Sequence, residues 1–136
     1  MAMPVVKAER CPVRSGDDIV RIRQIVRQWT VELGFSLVEQ TKIVTAASEI
    51  ARNTLDHGGG GEALVESLSE NGRRGLRLVF TDKGPGIENI DQALKDGFTT
   101  GGGLGLGLGG ARRLSSEFSI ESRPGEGTCV TLTRWK

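Results

Sequence analysis

Polar side chains that could bind or activate a ligand fall on one side of the longest helical pattern in the chain, within residues 48–58, S-E-I-A-R-N-T-L-D-H-G. At roughly 100° per residue, Glu49, Asn53 and Asp56 lie within an arc of about 60°. Apolar residues occupy a different face: Ile43, Ala47, Ile50 and Ala51. The helix therefore packs one stripe against a core and shows a polar stripe, which on this segment alone also fits a solvated surface.

A carboxylate stands at the end of an apolar strand face. Residues 76–82 alternate as a strand, so Leu78, Phe80 and Asp82 share one side. A carboxylate in that position is costly unless hydrogen-bond donors satisfy it. The K-G-P-G-I that follows predicts a tight turn whose glycines allow close approach of backbone. Asp82 can also cap this turn itself through an Asx contact, and the residues leave both interpretations open.

A glycine run, G-G-G-L-G-L-G-L-G-G at residues 101–110, leads into a short amphipathic helix through residues 112–114. Backbone N–H groups in such a turn, aimed from a helix N-terminus, form an anion site, so we expect phosphate here. A P-loop is excluded because G-x-x-x-x-G-K-[ST] is missing. Gly105, Gly107 and Gly110 match G-x-G-x-x-G, but a dinucleotide fold needs that motif to follow a strand directly.

The remaining patterns predict the elements that position these features. Ser15 can cap the first helix, and Ser36 with Glu39 forms a capping box for the second. In the first half of the chain we predict a strand at residues 5–13, a helix from Asp17 to the stop at Gly34, a helix from Ser36 to His57 and a turn at 58–61. In the second half we predict strands at 62–68 and 76–82 around a turn at 71–75, a lid at 88–100, and strands at 118–122 and 128–134. Thr128 then shares a face with Val130 and Leu132.

Length and charge bound the class of protein. The chain has 136 residues and a formal net charge of +1, from 18 basic and 17 acidic side chains. That balance gives no broad field for nucleic acid or an anionic membrane, and the chain has no apolar run long enough to span a bilayer. We expect one domain over residues 1–136, cytoplasmic, with Cys11 and Cys129 as buried free thiols.

Four motifs in this order resemble the GHKL, or Bergerat-fold, family of ATP-binding proteins. They are E-x-x-x-N-x-x-x-H-G at residues 49–58, D-x-G-x-G at 82–86, G-x-G-L-G-L from Gly101, and G-T at 127–128. The lid F-T-T-G-G-G-L-G-L-G-L-G-G and the ending E-F-S-I-E-S-R-P-G-E-G-T most resemble the RsbT-type switch kinases of bacterial stressosomes. The SpoIIAB/RsbW-type anti-sigma-factor kinases are less similar. The resemblance implies an α/β two-layer sandwich with a mixed, mostly antiparallel sheet covered by helices on one face.

The resemblance also implies ATP and Mg²⁺ as cofactors. Glu49 would act as general base or orienter of the attacking hydroxyl, Asn53 would coordinate Mg²⁺, and Asp82 would accept a hydrogen bond from the adenine amino group. Thr128 would support Asp82 or a water near adenine, and Asp56, which matches no family position, returns to the surface. The implied ATP-contacting positions are Asn53, His57, Asp82, Gly84, Gly86, Lys95, Thr99, Thr100, Gly101, Gly103, Leu104, Gly105, Leu106, Gly107 and Thr128.

The lid departs from the anti-sigma-factor kinases, which carry an arginine just before the glycines. Residues 87–102 contain no arginine, and Lys95 is their one lysine. Stabilisation of the transferring phosphoryl group would then come from Lys95, Lys83, Arg112 or Arg113. We hypothesise that turnover depends on a bound partner.

The resemblance implies a function in partner switching. The chain would phosphorylate a serine or threonine of a small STAS-domain protein or stressosome scaffold, and then bind a downstream phosphatase or other effector. Three alternatives stay open: an anti-sigma-factor kinase that inhibits a sigma factor, a catalytic fragment of a histidine kinase, and a nucleotide-regulated binding module without catalysis. The basic cluster of Arg21, Arg23 and Arg27 is a solvated helix face or a docking patch.

Overall fold

The computed structural model describes residues 5–87 and 107–136. Its elements in chain order are β1 (Val5–Val13), α1 (Gly16–Glu32), α2 (Leu37–Asp56), β2 (Gly61–Glu70), β3 (Arg73–Asp82), α3 (Gly107–Arg113), β4 (Glu117–Arg123) and β5 (Gly127–Trp135). The predicted lid at residues 88–100 lies outside the described residues.

Both long helices begin where their capping residues predict. The Ser15 hydroxyl accepts a hydrogen bond from the Asp18 N–H at 3.3 Å and caps α1. At the start of α2, Ser36 and Glu39 form the reciprocal capping box, with Glu39 N–H to Ser36 Oγ at 3.2 Å and Ser36 N–H to Glu39 Oε1 at 3.4 Å. Gly34, with φ +85°, follows the end of α1 and allows the chain to reverse. The predicted boundaries of these two helices are confirmed to within about two residues. The short helix predicted through residues 112–114 begins earlier, at Gly107, so the last glycines of the run are helical and that prediction was wrong in extent.

In the described part of the chain, five strands form one sheet in the order β1-β2-β3-β5-β4, and each neighbouring pair is antiparallel. The inner face of the sheet packs with α1, α2 and α3 around a shared apolar core. The predicted two-layer α/β sandwich with a mostly antiparallel sheet is therefore confirmed. The last strand of the chain, β5, lies inside the sheet between β3 and β4.

The prediction of a turn over residues 71–75 was wrong in extent. Asn71 (φ 52°) and Gly72 (φ 80°) alone form the turn, and β3 already begins at Arg73. Two successive residues with positive φ are typical of the tight type I′ hairpin turn, for which Asn-Gly is the preferred pair. Gly75 belongs to the strand, where a Cβ would lie 2.6 Å from the Trp135 ring. The bulk of Trp135 across the sheet explains the glycine there.

The core lies between the inner face of the sheet and the two long helices. Its sheet side includes Ala63, Val65, Leu76, Leu78, Phe80, Val130 and Leu132, and its helix side includes Ile22, Val26, Trp29, Ile43, Ala47, Ile50 and Ala51. Leu33, the C-cap of α1, packs against this core and is only partly buried. Cys11 is buried as predicted, whereas Cys129 is only half-buried, which corrects that prediction.

The opposite face of the sheet carries polar pairs. Glu66 of β2 and Arg77 of β3 are directly opposed and form an ion pair at 2.8 Å, with side chains 10% and 21% exposed. No helix within residues 5–87 and 107–136 combines the length and apolar character that crossing a membrane requires.

Candidate functional site

Three polar side chains form a row across the end of the inner sheet face. Asp82 of β3 is paired with Thr128 of β5, and Thr128 is paired with Ser122 of β4. The next row toward the core is apolar, because Phe80 pairs with Val130 and Val130 with Ile120. Strand parity thus places Asp82 at the end of the apolar face, as the sequence predicts.

The C-terminal end of α2 packs against Asp82 through backbone alone. A Cβ added to Gly58 would lie 2.3 Å from Asp82 Cγ, and a Cβ added to Gly84 would lie 2.6 Å from Gly58 Cα. Side chains are therefore excluded at both positions, since such distances lie well inside van der Waals contact. The absence of side chains lets the helix end, the strand end and the turn after β3 meet at one point.

The Asp82 carboxylate already has one local partner. Its Oδ1 accepts a hydrogen bond from the Gly84 N–H at 2.9 Å, which is the Asx contact that the sequence left open. Its Oδ2 has no hydrogen-bond partner among the described residues. One oxygen therefore holds the turn, and the other can accept a hydrogen bond from a ligand.

Two hydrogen bonds join the segment after β3 to the end of β4 and the β4–β5 turn. Gly125 donates its N–H to the Pro85 carbonyl at 2.7 Å, and Ile87 donates its N–H to Ser122 Oγ at 2.8 Å. Gly86 has φ +77°, and a Cβ there would lie 2.1 Å from the Arg123 carbonyl oxygen. The two glycines of D-x-G-x-G therefore serve close packing in this structure. Their predicted contact with adenine stays a prediction.

The polar stripe of α2 runs toward this row. Glu49 is buried, with 5% of its surface exposed, and its backbone carbonyl accepts a hydrogen bond from Asn53 Nδ2 at 3.2 Å. That bond directs the Asn53 amide so that Oδ1 is available as a hard oxygen ligand. His57, whose N–H donates to the Asn53 carbonyl at 2.9 Å, is the exposed C-cap of α2. Asp56 is exposed, in agreement with its predicted place on the surface.

Many predicted contact residues lie outside the described residues: Lys95, Thr99, Thr100, Gly101, Gly103, Leu104, Gly105 and Leu106. Gly107 is the first residue of α3. Among the basic side chains considered for phosphoryl stabilisation, Lys83, Arg112 and Arg113 are exposed, and the two arginines lie in the last turn of α3.

Ser122 is a residue of the site that the motifs did not indicate. Its hydroxyl contacts Thr128 Oγ1 at 2.8 Å and the Gly127 carbonyl at 3.0 Å, in addition to Ile87. The signal in the sequence was the parity of β4, because Ser122 alternates with Ile120 on the inner face. Finding its partner required the pairing of β4 with β5, which local sequence does not give.

Comparison with known proteins identifies the family. The family of histidine kinase-, DNA gyrase B-, and HSP90-like ATPases matches residues 38–136. The serine/threonine-protein kinase RsbT of Bacillus subtilis is 46% identical over 118 residues, which cover 87% of this chain and 89% of that protein. The anti-sigma F factor of Anoxybacillus flavithermus is 31% identical over 119 residues, which cover 82% of this chain and 80% of that protein.

Two solved structures share the fold. The structure of the RsbU and RsbW domains of Rv1364c from Mycobacterium tuberculosis superposes with a TM-score of 0.64 at 22% identity, covering 96% of this chain and 33% of that chain. The SiaB–SiaC complex from Pseudomonas aeruginosa gives a TM-score of 0.51 at 16% identity, covering 98% of this chain and 92% of that chain.

The chain belongs to the histidine kinase-, DNA gyrase B-, and HSP90-like ATPase family, which is the GHKL family that its motifs resemble. Its similarity to RsbT extends over most of both chains. It is accordingly an enzyme of the serine/threonine-protein kinase type.

The described residues fit the nucleotide that this family name implies. Asp82 Oδ2 can accept from an amino group, and the missing side chains at Gly58 and Gly84 leave backbone alone beside it. The Asn53 amide oxygen suits Mg²⁺, which prefers hard oxygen ligands and usually shares its coordination with phosphates.

Proposed function

We propose that this kinase transfers the γ-phosphoryl group of ATP to a serine or threonine of a STAS-domain protein of a bacterial stress-signalling complex. The observation that carries the proposal is the row of Asp82, Thr128 and Ser122 beside the glycine-only contact with α2. It joins the end of the polar stripe of α2 to the Asp82 carboxylate, whose Oδ2 accepts no hydrogen bond from the described residues. The 46% identity to RsbT supports the choice of kinase chemistry and of partner class.

In this proposal residues 1–136 act as one cytoplasmic ATP-binding kinase domain with two subsites. Asp82 and Thr128 would hold the adenine and Asn53 would coordinate Mg²⁺. His57, Gly101, Gly103, Gly105 and Gly107 would contact the phosphates. Gly84 and Gly86 would leave room for the base, and Lys95, Thr99, Thr100, Leu104 and Leu106 are the further residues that we assign to ATP binding. Magnesium-bound ATP would supply the phosphoryl group and part of the charge neutralisation.

Glu49 is the residue that we assign to proton transfer. It lies one helical turn before Asn53 on the same side of α2, so a hydroxyl held near the metal-binding amide is within its reach. As a buried carboxylate it can orient that hydroxyl and accept its proton while water is kept out. Positioning and charge stabilisation account for most of the catalysis in phosphoryl transfer, so the base makes one contribution among several.

The partner switch is proposed from the relatives. The relatives of this chain include a serine/threonine-protein kinase, RsbT, and anti-sigma F factors. They therefore include both an enzyme and regulatory proteins. After phosphorylating its STAS-domain partner or scaffold, the kinase would bind a downstream phosphatase or other effector. The alternative is an anti-sigma-factor kinase that holds a sigma factor.

Phosphate transfer to purified STAS-domain proteins tests this function. With γ-labelled ATP and Mg²⁺, the native protein should label a serine or threonine of its partner. Glu49→Gln keeps the side-chain volume but removes the base, and should reduce the transfer rate by roughly a hundredfold or more. The matched control is Asp56→Asn, because Asp56 lies on the same helix, is exposed and makes no side-chain hydrogen bond to the described residues.

Binding of ATP tests the base subsite in the same preparation. In Asp82→Asn, the side-chain amide presents to the adenine amino group either an NH₂ donor or a neutral oxygen in place of the carboxylate oxygen. We therefore expect ATP binding to weaken by roughly tenfold or more. Unchanged ATP affinity in this variant would show that the adenine assignment is wrong. Equal transfer rates for native protein and Glu49→Gln would remove Glu49 from the mechanism, and co-purification with a sigma factor without labelling of any STAS protein would favour the alternative.

A further inference from the structure

The Ser122 hydroxyl stands at a point where three parts of the site meet. It accepts a hydrogen bond from the Ile87 N–H at 2.8 Å, in the segment that leaves the turn after β3. It lies 3.0 Å from the Gly127 carbonyl oxygen and 2.8 Å from Thr128 Oγ1. Gly127 itself has φ +84°, and a Cβ there would lie 2.2 Å from the Asp82 carbonyl oxygen. Through Gly127 and Thr128, Ser122 is therefore linked to the end of β3 that carries Asp82.

Counting protons fixes the direction of these hydrogen bonds. A serine hydroxyl has one proton to donate and two lone pairs to accept. The Ile87 N–H uses one lone pair, and the Gly127 carbonyl, which has no proton, can be bonded only if Ser122 donates to it. The remaining contact is satisfied only if Thr128 donates its proton to Ser122.

This direction determines what Thr128 offers to a ligand. A threonine hydroxyl that donates to Ser122 has no second proton, so only its lone pairs face other neighbours. Asp82 lies directly across the strand pair and contributes its Oδ2, a further acceptor. The edge of the site formed by β3 and β5 therefore presents acceptors alone.

We propose that Ser122 is a positioning residue that sets Thr128 as a hydrogen-bond acceptor and thereby makes the base subsite select a purine with an amino group at C6. The proposal rests on the proposed ATP-binding function. An adenine amino group donates to both acceptors, whereas hypoxanthine presents a carbonyl oxygen at the same position and meets two lone-pair groups. Without Ser122, the Thr128 hydroxyl can turn and donate to that oxygen.

The ratio of ITP to ATP dissociation constants measures this selection, since ITP carries hypoxanthine in place of adenine and the same triphosphate. Calorimetric titration with Mg²⁺ should show that native protein prefers ATP. In Ser122→Ala we expect that preference to fall by roughly three- to tenfold, the size of one hydrogen bond. Ser119→Ala is the matched control, because Ser119 is an exposed residue of the same strand whose hydroxyl makes no bond to the described residues.

Conservative variants separate positioning from folding. Ser122→Thr keeps a hydroxyl at this position of β4 and should show the native ratio of ITP to ATP dissociation constants. Loss of packing alone would instead change the affinities for ATP and ITP by the same factor and leave their ratio unchanged. Should Ser122→Ala not fold, Thr128→Val tests the same step, since it removes the acceptor and should lower the preference for ATP similarly. A folded Ser122→Ala with the native ratio, or a folded Thr128→Val with the native ratio, would overturn the proposal.

The variant Asp82→Asn distinguishes failure of this inference from failure of the proposed function. Loss of ATP binding in Asp82→Asn together with a native ratio in Ser122→Ala leaves the ATP site in place and refutes only the role of Ser122. Unchanged ATP binding in Asp82→Asn refutes the base subsite, and the role of Ser122 falls with it.

Discussion

At the scale of single residues, the site depends on positions that carry no side chain as much as on those that do. Gly58 and Gly84 bring the end of α2 within backbone contact of Asp82. The strand pattern was sufficient to predict the face on which Asp82 lies. It could not predict that Ser122 would hold Thr128, because the pairing of β4 with β5 depends on register between strands, which is a non-local property.

Gly58→Ala should weaken ATP binding more than it weakens folding. The added methyl group would lie 2.3 Å from Asp82 Cγ, so the carboxylate must move away from the base subsite. We expect roughly a tenfold loss of ATP affinity and a loss of about 1–3 kcal/mol in the free energy of unfolding. The control is Gly16→Ala, where a Cβ meets nothing within 4 Å. Equal ATP affinity in both variants would show that Asp82 does not hold the base.

At the scale of elements, local signals predicted the helices well. Caps involve residues three apart, so Ser15 and the Ser36–Glu39 box could be read directly from the sequence. The predicted β2–β3 turn is too long, although Asn71-Gly72 is a local signal, because glycine is typical of turns and Gly75 instead belongs to β3. Its true place follows from Trp135, which lies far away in the chain and packs over it.

Loss of the α2 cap should reduce stability without changing the site. Ser36→Ala removes the acceptor of the Glu39 N–H, which a helix start cannot replace internally. We expect a decrease of about 1 kcal/mol in the free energy of unfolding, measured in urea with an unchanged slope. ATP affinity should stay native, because Asn53 and His57 lie at the other end of α2. Ser69→Ala, an exposed serine at the end of β2, should be within about 0.5 kcal/mol of native protein.

At the scale of the whole molecule, the two layers divide the thiols into two environments. Cys11 is 2% exposed within the core, and burial raises the pKa of its thiol, with a smaller contribution from Glu9. Cys129 is half-buried and its Sγ accepts from the Thr81 hydroxyl at 3.9 Å on the outer face of the sheet. This difference arises from which face of the sheet each strand presents to the helices, so composition alone could not reveal it.

A thiol reagent should therefore modify the folded protein at one site. In native protein, Cys129 should react within minutes. Cys11 should react only when the protein unfolds, because the thiolate is the reactive form and burial of the Cys11 thiol disfavours it. Cys129→Ser should abolish the fast phase and Cys11→Ser should keep it. Because the folded pKa of Cys11 is raised, folding stability should decline as pH rises past the ordinary range of a cysteine thiol. A fast phase that survives in Cys129→Ser would contradict this picture.

The interior position of β5 has a consequence for the order in which the chain folds during synthesis. The β2–β3 hairpin closes over a two-residue turn, so it can form as soon as both strands have left the ribosome. The other edge of β3 pairs with β5 in the folded protein. Residues 83–126 must be translated before β5 is available for this pairing. Until then β3 has an unpaired hydrogen-bonding edge, which is the kind of surface that recruits other chains. A nascent chain therefore acquires Thr128 opposite Asp82 only after β5 has been synthesised, and a ribosome that stalls before residue 127 leaves this aggregation-prone edge open.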